Sequence, residues 1–353
     1  MQQFLLKNFD AIRTAIAILI GMLICILLII LVSSSPADSI ATFLFGPFSS
    51  QRTIASIFEI ATPIIFTGIA LAISFQAQQF YIGAEGAFYI TAAVGTALAV
   101  STSMPWFLHV PLILLVSASF GGLWGLIPGY LKARFNTSEV VTALMLNFVA
   151  LYTGLYLINN FFRDRGAGFM VSFRLPESAE LGQLIERTRI HWGVVLAILV
   201  AIWAYYFLYH TRTGYEIRTV GHNQKFARFG GINVFKVIIT VHVLTGAIAG
   251  LGGIVEVMGI HGRFNWQDLP GQGWDGVIVA IIGRNQPLYV VAAAVFLGYL
   301  RVGGQQLRLL SDVPFELVLV IQSAIILLIT ARAFLSQWEN RMIINQASEE
   351  TES

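Results

Sequence analysis

The chain has 353 residues, 56% hydrophobic and 11% charged, against about 25% charged in an ordinary soluble protein, and its mean hydropathy is +0.75. This composition excludes a soluble globular domain and predicts an all-α, polytopic membrane protein. A formal net charge of +2 with basic residues scattered over loops excludes nucleic acid as a partner, and the single cysteine, Cys25, excludes an intrachain disulfide and a thiolate metal cluster.

In chain order, the first apolar run is Ala15 to Val32, long enough to cross a hydrocarbon core of about 30 Å and read as a retained anchor, not a signal peptide. Further spans are expected at Ile57 to Ser74, Ala87 to Val100, Phe107 to Tyr130, Val140 to Ile158, Trp192 to Tyr209, Val237 to Met258, a short one near Val277 to Ile282, Leu288 to Leu300, and Phe315 to Ile329. That makes ten transmembrane helices. Lys7, Arg13, Lys132, Arg134, Arg332 and the basic residues between spans six and seven place both termini in the cytoplasm by the positive-inside rule. The arginines between Ile158 and His191 run against that assignment, and four acids are mixed among them.

Two short elements echo each other. Gly83-Ala84-Glu85-Gly86 leads into the third span and Gly273-Trp274-Asp275-Gly276 into the eighth, and by the span count they open toward opposite sides. That is the pattern of an inverted repeat with interrupted helices at the substrate path, with halves at 57–158 and 237–330 of a single transmembrane domain. Gly121, Gly122, Gly125 and Gly129 in one span, and Gly246, Gly250 and Gly253 in another, are spaced for close helix packing, and Pro63 and Pro111 mark bends.

Ionisable groups in or near the spans are Glu59, Glu85, Glu139, Glu256, Asp275 and Arg284. At such depth they mark a polar pathway or a buried pair. Glu139 fits a capping box with Asn136, and Glu256 and Arg284 stand where they can reach an interface. Glu85 and Asp275, beside glycines, are the stronger candidates for a cavity lining. His109 and His242 stand alone in apolar runs and are read as packed, with no metal assigned. The aromatic runs of spans five and six read as lipid or helix faces. No phosphate-binding loop, zinc-protease motif or nucleophile elbow occurs, so if nucleotide hydrolysis drives this protein, another chain must supply it.

The segment Thr211 to Lys236 is basic and glycine-punctuated. Asn223 can cap a helix through Gln224, Lys225, Phe226, Ala227, Arg228 and Phe229, with Gly230 and Gly231 ending it. Such a helix, about 10 Å long, does not persist alone in water. Phe226 and Phe229 form an apolar edge and Lys225 and Arg228 a charged one, a design suited to a groove on a soluble partner; an ordinary positive-inside loop is the plainer alternative.

Five ordered motifs between about Ile57 and Ala331 carry a resemblance: Tyr81 to Gly86; Gly129 to Phe135 with Ser138 to Thr142 and Met145 to Asn147; Gly214 to Gly221 with Gly230 to Ile232; Gly273 to Val277; and Gly283 to Pro287. The chain resembles the permease subunits of bacterial ABC importers in the simple-sugar, nucleoside and branched-chain amino acid superfamily, and within it the nucleoside-type permeases. Tyr81 stands where the family usually has asparagine. The resemblance implies a multi-pass protein of the bacterial cytoplasmic (inner) membrane in contact with lipid, paired with a second permease, identical or homologous. It also implies a cytoplasmic ABC ATPase that binds ATP and Mg, and an extracytoplasmic binding protein or lipoprotein that delivers substrate; this chain itself carries no cofactor and no catalytic residue.

On that basis Gly221, Asn223, Lys225, Phe226, Arg228, Phe229 and Gly230 are the expected ATPase-coupling residues, and Tyr81, Glu85, Asn147 and Asp275 the candidates for substrate path or gate. The substrate is read as nucleosides, with simple sugars as the alternative. An ion-coupled secondary transporter is the reading from another class.

Overall fold

The structure, a computed structural model, describes residues 26–314 together with Ile20, Leu23, Val320 and Ser323. Cys25, most of the tenth expected span Phe315 to Ile329, half of the first, and the terminal basic residues Lys7, Arg13 and Arg332 lie outside the described residues. Among the described residues the chain is all-helical, with isolated bridges Arg163 to Ser172 and Gln183 to His191 as its only β pairing. Seven helices among the described residues are long and apolar enough to cross a membrane.

After a helical stretch over 26–32, α1 (Pro36–Phe45), α2 (Gln51–Gln76), α3 (Ala84–Ser101), α4 (Trp106–Phe135) and α5 (Glu139–Leu157) follow. Then come α6 (Gly193–His210), α7 (Arg212–His222), α8 (Gln224–Phe229), α9 (Val234–Glu256), α10 (Gln272–Ile282) and α11 (Pro287–Leu310). A π-helical turn extends α5 through Ile158–Phe162 and another extends α9 through Val257–His261. The eight segments expected as spans within the described residues are all helical, and the one at α10 is too short to be counted among the seven. Unanticipated are α1, α7 and the ten residues by which α11 outruns Leu300.

The chain forms two compact units. The smaller consists of the described parts of Met1–Thr53 and Tyr299–Ser353. Here Asp312 ties down the segment before α1: its carboxylate accepts from the Ser33 hydroxyl (2.6 Å), the Ser34 hydroxyl (2.5 Å) and the Ser34 N–H (2.6 Å). These bonds, that from Ser33 foremost, hold the Asp312 carboxyl well below the usual carboxylate range. The Tyr299 hydroxyl donates to the Leu44 carbonyl (3.0 Å).

In the larger unit, Ile54–Gly298, α2, α3 and α9 are the most buried spans, whereas α4, α5 and α6 keep broad apolar faces open, with Leu115, Leu123, Phe148, Tyr152, Leu199, Trp203 and Tyr206 exposed. Those faces suit lipid, which accounts for the aromatic runs of spans five and six. In a membrane the association of helices rests on close packing, because lipid tails are as apolar as leucine. The α4–α9 pair meets this need with glycine: a methyl group on Gly121 would run into the Gly246 carbonyl oxygen, and one on Gly246 into that of Gly121. The backbones themselves are in contact.

The capping box expected at Asn136 and Glu139 does not form. Asn136 takes a left-handed conformation (φ 52°) and closes α4, so Glu139 falls at the first residue of α5 instead of the third. It pairs with Lys132 of α4 at 2.8 Å.

Residues 163–192 lace themselves to the end of α9. Ser172 N–H donates to the Phe264 carbonyl (2.9 Å), Leu175 N–H to Gly262 (2.9 Å) and Leu181 N–H to Met258 (3.0 Å). His109 is fully buried between Thr102 and Ser178, 2.9 Å from each hydroxyl, as a packed histidine should be.

Candidate functional site

The two glycine-acid elements, nearly two hundred residues apart in sequence, meet in space. Glu85 is in the first turn of α3 and 0% exposed. One of its carboxylate oxygens accepts the Gly271 N–H at 2.6 Å and the other the Gly273 N–H. The first turn of α10 has no side-chain cap of its own, since the preceding residue is Gly271 in the left-handed region (φ 84°). Glu85 supplies the missing cap from another helix, where a carboxylate is favoured by unpaired N–H groups and by the helix dipole. Gly273 is required by this approach, because a Cβ there would lie 2.7 Å from the Glu85 Cβ.

Other polar groups extend the junction. Thr67 of α2 donates to the Gln272 carbonyl at 2.8 Å. Glu256, expected to reach an interface, is instead 7% exposed: Gln272 Nε2 lies 3.5 Å and His261 Nε2 3.4 Å from its Oε1. The correction has a physical cause, since the π turn after Glu256 carries the chain onward beyond it and brings His261 back over its carboxylate. Asp275, in the first turn of α10, is 8% exposed. Arg284 is half-buried in the turn after α10.

Asn147 and Tyr81 also lie at the start of α3. The Asn147 side chain accepts the Gly86 N–H at 2.9 Å and its amide donates to the Ile82 carbonyl at 3.5 Å, fixing α5 to the start of α3. The Tyr81 ring is fully buried against His242, with centroids 4.7 Å apart, and lies over Gly83. Tyr81, Glu85, Asn147 and Asp275 are thus gathered around two helix starts. Glu256, His261, Gln272 and Thr67 belong to the same junction and were missed as members of it. Of these only Glu256 carried a signal in the sequence, as a lone acid in an apolar run. Among the described residues no group of three or more His, Cys, Asp or Glu is placed to hold a metal.

A second site lies between α6 and α9. Thr211 caps α7 by accepting the Gly214 N–H at 3.1 Å. Asn223 caps α8 by accepting the N–H groups of Lys225 (2.9 Å) and Phe226 (3.1 Å). The helix ends where Gly230 N–H donates to Phe226 (2.9 Å) and Ile232 N–H to Ala227 (2.9 Å), with Gly231 left-handed at φ 80°. Ala227 faces inward, Lys225 and Arg228 are exposed, and Phe226 and Phe229 are 65% and 93% exposed. Phe229, the last residue of the helix, is thus almost wholly open to its surroundings while both ends of the helix are hydrogen-bonded. Gly221 of α7 sits directly on the backbone carbonyl of Gln76, the last residue of α2, leaving no room for a side chain.

Seven long apolar helices and one short one among the described residues make up a multi-pass membrane protein. A profile of the family described as "Branched-chain amino acid transport system / permease component" matches residues 53–330, and the chain belongs to that family. It is similar to the guanosine ABC transporter permease protein NupP of Bacillus subtilis (strain 168), 34% identical over 328 residues that cover 90% of this chain and 92% of that protein. The glucose ABC transporter permease protein TsgB13 of Haloferax volcanii is 32% identical, covering 86% and 82%. The nucleoside ABC transporter permease protein NupB of Lactococcus lactis subsp. cremoris is 27% identical, covering 95% and 95%. The chain is a permease component, not a catalytic subunit.

Proposed function

We propose that this chain is the membrane permease of an ATP-driven importer for nucleosides. The observation that carries the substrate class is the similarity to NupP and NupB along nearly the whole chain. Simple sugars are the second reading, favoured by the 32% identity to a glucose permease. Membership of a transport-system permease family speaks against the ion-coupled alternative.

In this reading the protein has ten spans in the bacterial cytoplasmic membrane with both termini in the cytoplasm, and segments 57–158 and 237–330 are inverted halves of one permease domain. Supporting the repeat, Gly83–Gly86 and Gly273–Gly276 both open helices and are joined by the Glu85 carboxylate. A second permease subunit, an ATPase holding ATP and Mg, an extracytoplasmic binding protein and surrounding lipid complete the assembly. Segment 211–236 is the coupling loop. Asn223 and Gly230 fix the ends of α8, Phe226 and Phe229 enter a cleft of the ATPase, Lys225 and Arg228 flank them, and Gly221 seats α7 on α2.

Transport needs only that ATP binding favour one of two arrangements of the helices over the other. Motion of α8 is passed to the spans, and the junction of Tyr81, Glu85, Asn147 and Asp275 lines or gates the path. The test is Phe226→Ala together with Phe229→Ala in the reconstituted assembly. Substrate-stimulated ATP hydrolysis should fall to the unstimulated level while the permease remains inserted and folded; full stimulation would overturn the docking assignment.

A further inference from the structure

At the end of α2, one side chain bonds both the end of α6 and the turn after α10. The Gln76 amide nitrogen donates to the Asn285 carbonyl at 3.0 Å and to the Tyr209 hydroxyl at 3.3 Å. An amide NH2 has two hydrogens, and both are used. Tyr209 is near the end of α6, and the Arg218 guanidinium of α7 lies over its ring, 4.9 Å from the centroid. Gly221, one turn further along α7, rests on the Gln76 backbone. The element that bears α8 therefore grips Gln76 twice, through its main chain and through Tyr209.

On its other side Gln76 holds the turn that ends α10. Arg284 and Asn285 are consecutive residues in the left-handed region, at φ 53° and 57°, a conformation that glycine adopts freely and other residues resist. The turn is closed by Asn285 N–H donating to Ala280 (2.8 Å) and Arg284 N–H to Ile281 (3.0 Å). Strain of this kind persists where surrounding contacts over-determine it, and it gathers at moving parts. The Gln76 bond to the Asn285 carbonyl is such a contact. The far end of α10, about 16 Å away at 1.5 Å per residue, is the end that Glu85 and Thr67 hold.

We infer that Gln76 is the positioning residue that transmits displacement of α7 and α8 to α10, and through α10 to the buried junction at Glu85. The inference rests on the reading of α8 as the ATPase-docking element. A rigid short helix held at both ends converts movement of its last turn into movement of its first. Without the Gln76 amide, α10 keeps its packing on α2 at Thr67 and Gly68 but loses the polar link by which α6 and α7 hold its last turn.

The experiment uses the complete transporter in liposomes, with its ATPase and binding protein, and reads ATP hydrolysed per guanosine transported. Gln76→Met keeps the length of the side chain and removes the donor. It should leave unstimulated hydrolysis unchanged and raise the ATP-to-guanosine ratio by about tenfold, within the usual range of coupling between sites. A misfolded permease would instead lower hydrolysis and transport together, so the ratio separates transmission from mere structure. Should Gln76→Met not assemble, Tyr209→Phe, which removes one acceptor and keeps the ring under Arg218, should raise the ratio severalfold. A ratio unchanged in the assembled variant overturns the relay. The double Phe226, Phe229 alanine variant is measured beside it: loss of stimulated hydrolysis there with an unchanged ratio in Gln76→Met defeats the relay alone, whereas retained stimulation there defeats the docking reading.

Discussion

Glu85 is a residue whose chemistry is decided by its partners. In an apolar span a carboxylate is costly, but here both oxygens accept backbone N–H groups that α10 would otherwise leave bare. Glu85→Gln replaces one acceptor with an NH2 turned toward an N–H and removes the charge that strengthens both bonds. The expected cost is about 2 kcal/mol, from the weight of charge-assisted bonds to buried donors. Thermal unfolding of the purified permease measures it, and a stability equal to that of the unaltered protein would show that the cap contributes little. Glu85 and Asp275 were legible in the sequence because each stands in a Gly-x-acid-Gly element. That Glu85 is bonded to Gly271 and Gly273 was not, since 186 and 188 residues separate the partners and no local pattern records the contact.

Among elements, the segment 163–192 makes a pH prediction. His191 is fully buried, its Nδ1 accepts the Gly193 N–H at 3.1 Å, and burial pushes its imidazole down to about 4 from an ordinary value near 6.5. The unfolded chain therefore binds a proton that the folded one refuses. Stability is full above about pH 6.5 and is lost as pH falls toward 4, by roughly 3 kcal/mol over that window. His191→Gln should flatten this slope in unfolding measured from pH 7 to pH 4, and an equally steep loss in that variant would place its cause elsewhere.

Elements differ in how far the sequence discloses them. The long spans are plain because an apolar run is a strong signal, and α8 because its cap and its glycine stop are local. By contrast α7 offers only Gly214, Ile217 and Val220 as a buried stripe among polar residues, and so was folded into the loop. The capping box failed for a related reason: the motif Asn136 to Glu139 is correct in spacing, but α4 runs on to Phe135 and claims Asn136 for its own end.

At the scale of the whole molecule, two of the polar clusters in the larger unit lie at opposite ends of one short helix. One is the junction of Glu85, Gln272, Glu256 and His261; the other is the fork of Gln76, Tyr209 and Asn285 beside the projecting α8. They are joined by α10, the one short apolar helix among the described residues. An importer must connect a site where ATP hydrolysis is felt to a path through the membrane, and α10 spans between the two clusters. Substrate identity is the part least written in these contacts, which is why it rests on relatives along the chain's length and not on a lining residue. The most direct measurement is uptake by liposomes carrying the permease, its ATPase and its binding protein, with ATP on the ATPase side and labelled guanosine or glucose on the other. The account predicts that guanosine accumulates against its gradient only when ATP is hydrolysed. Accumulation of glucose in place of guanosine, or uptake driven by an ion gradient without ATP, would contradict it.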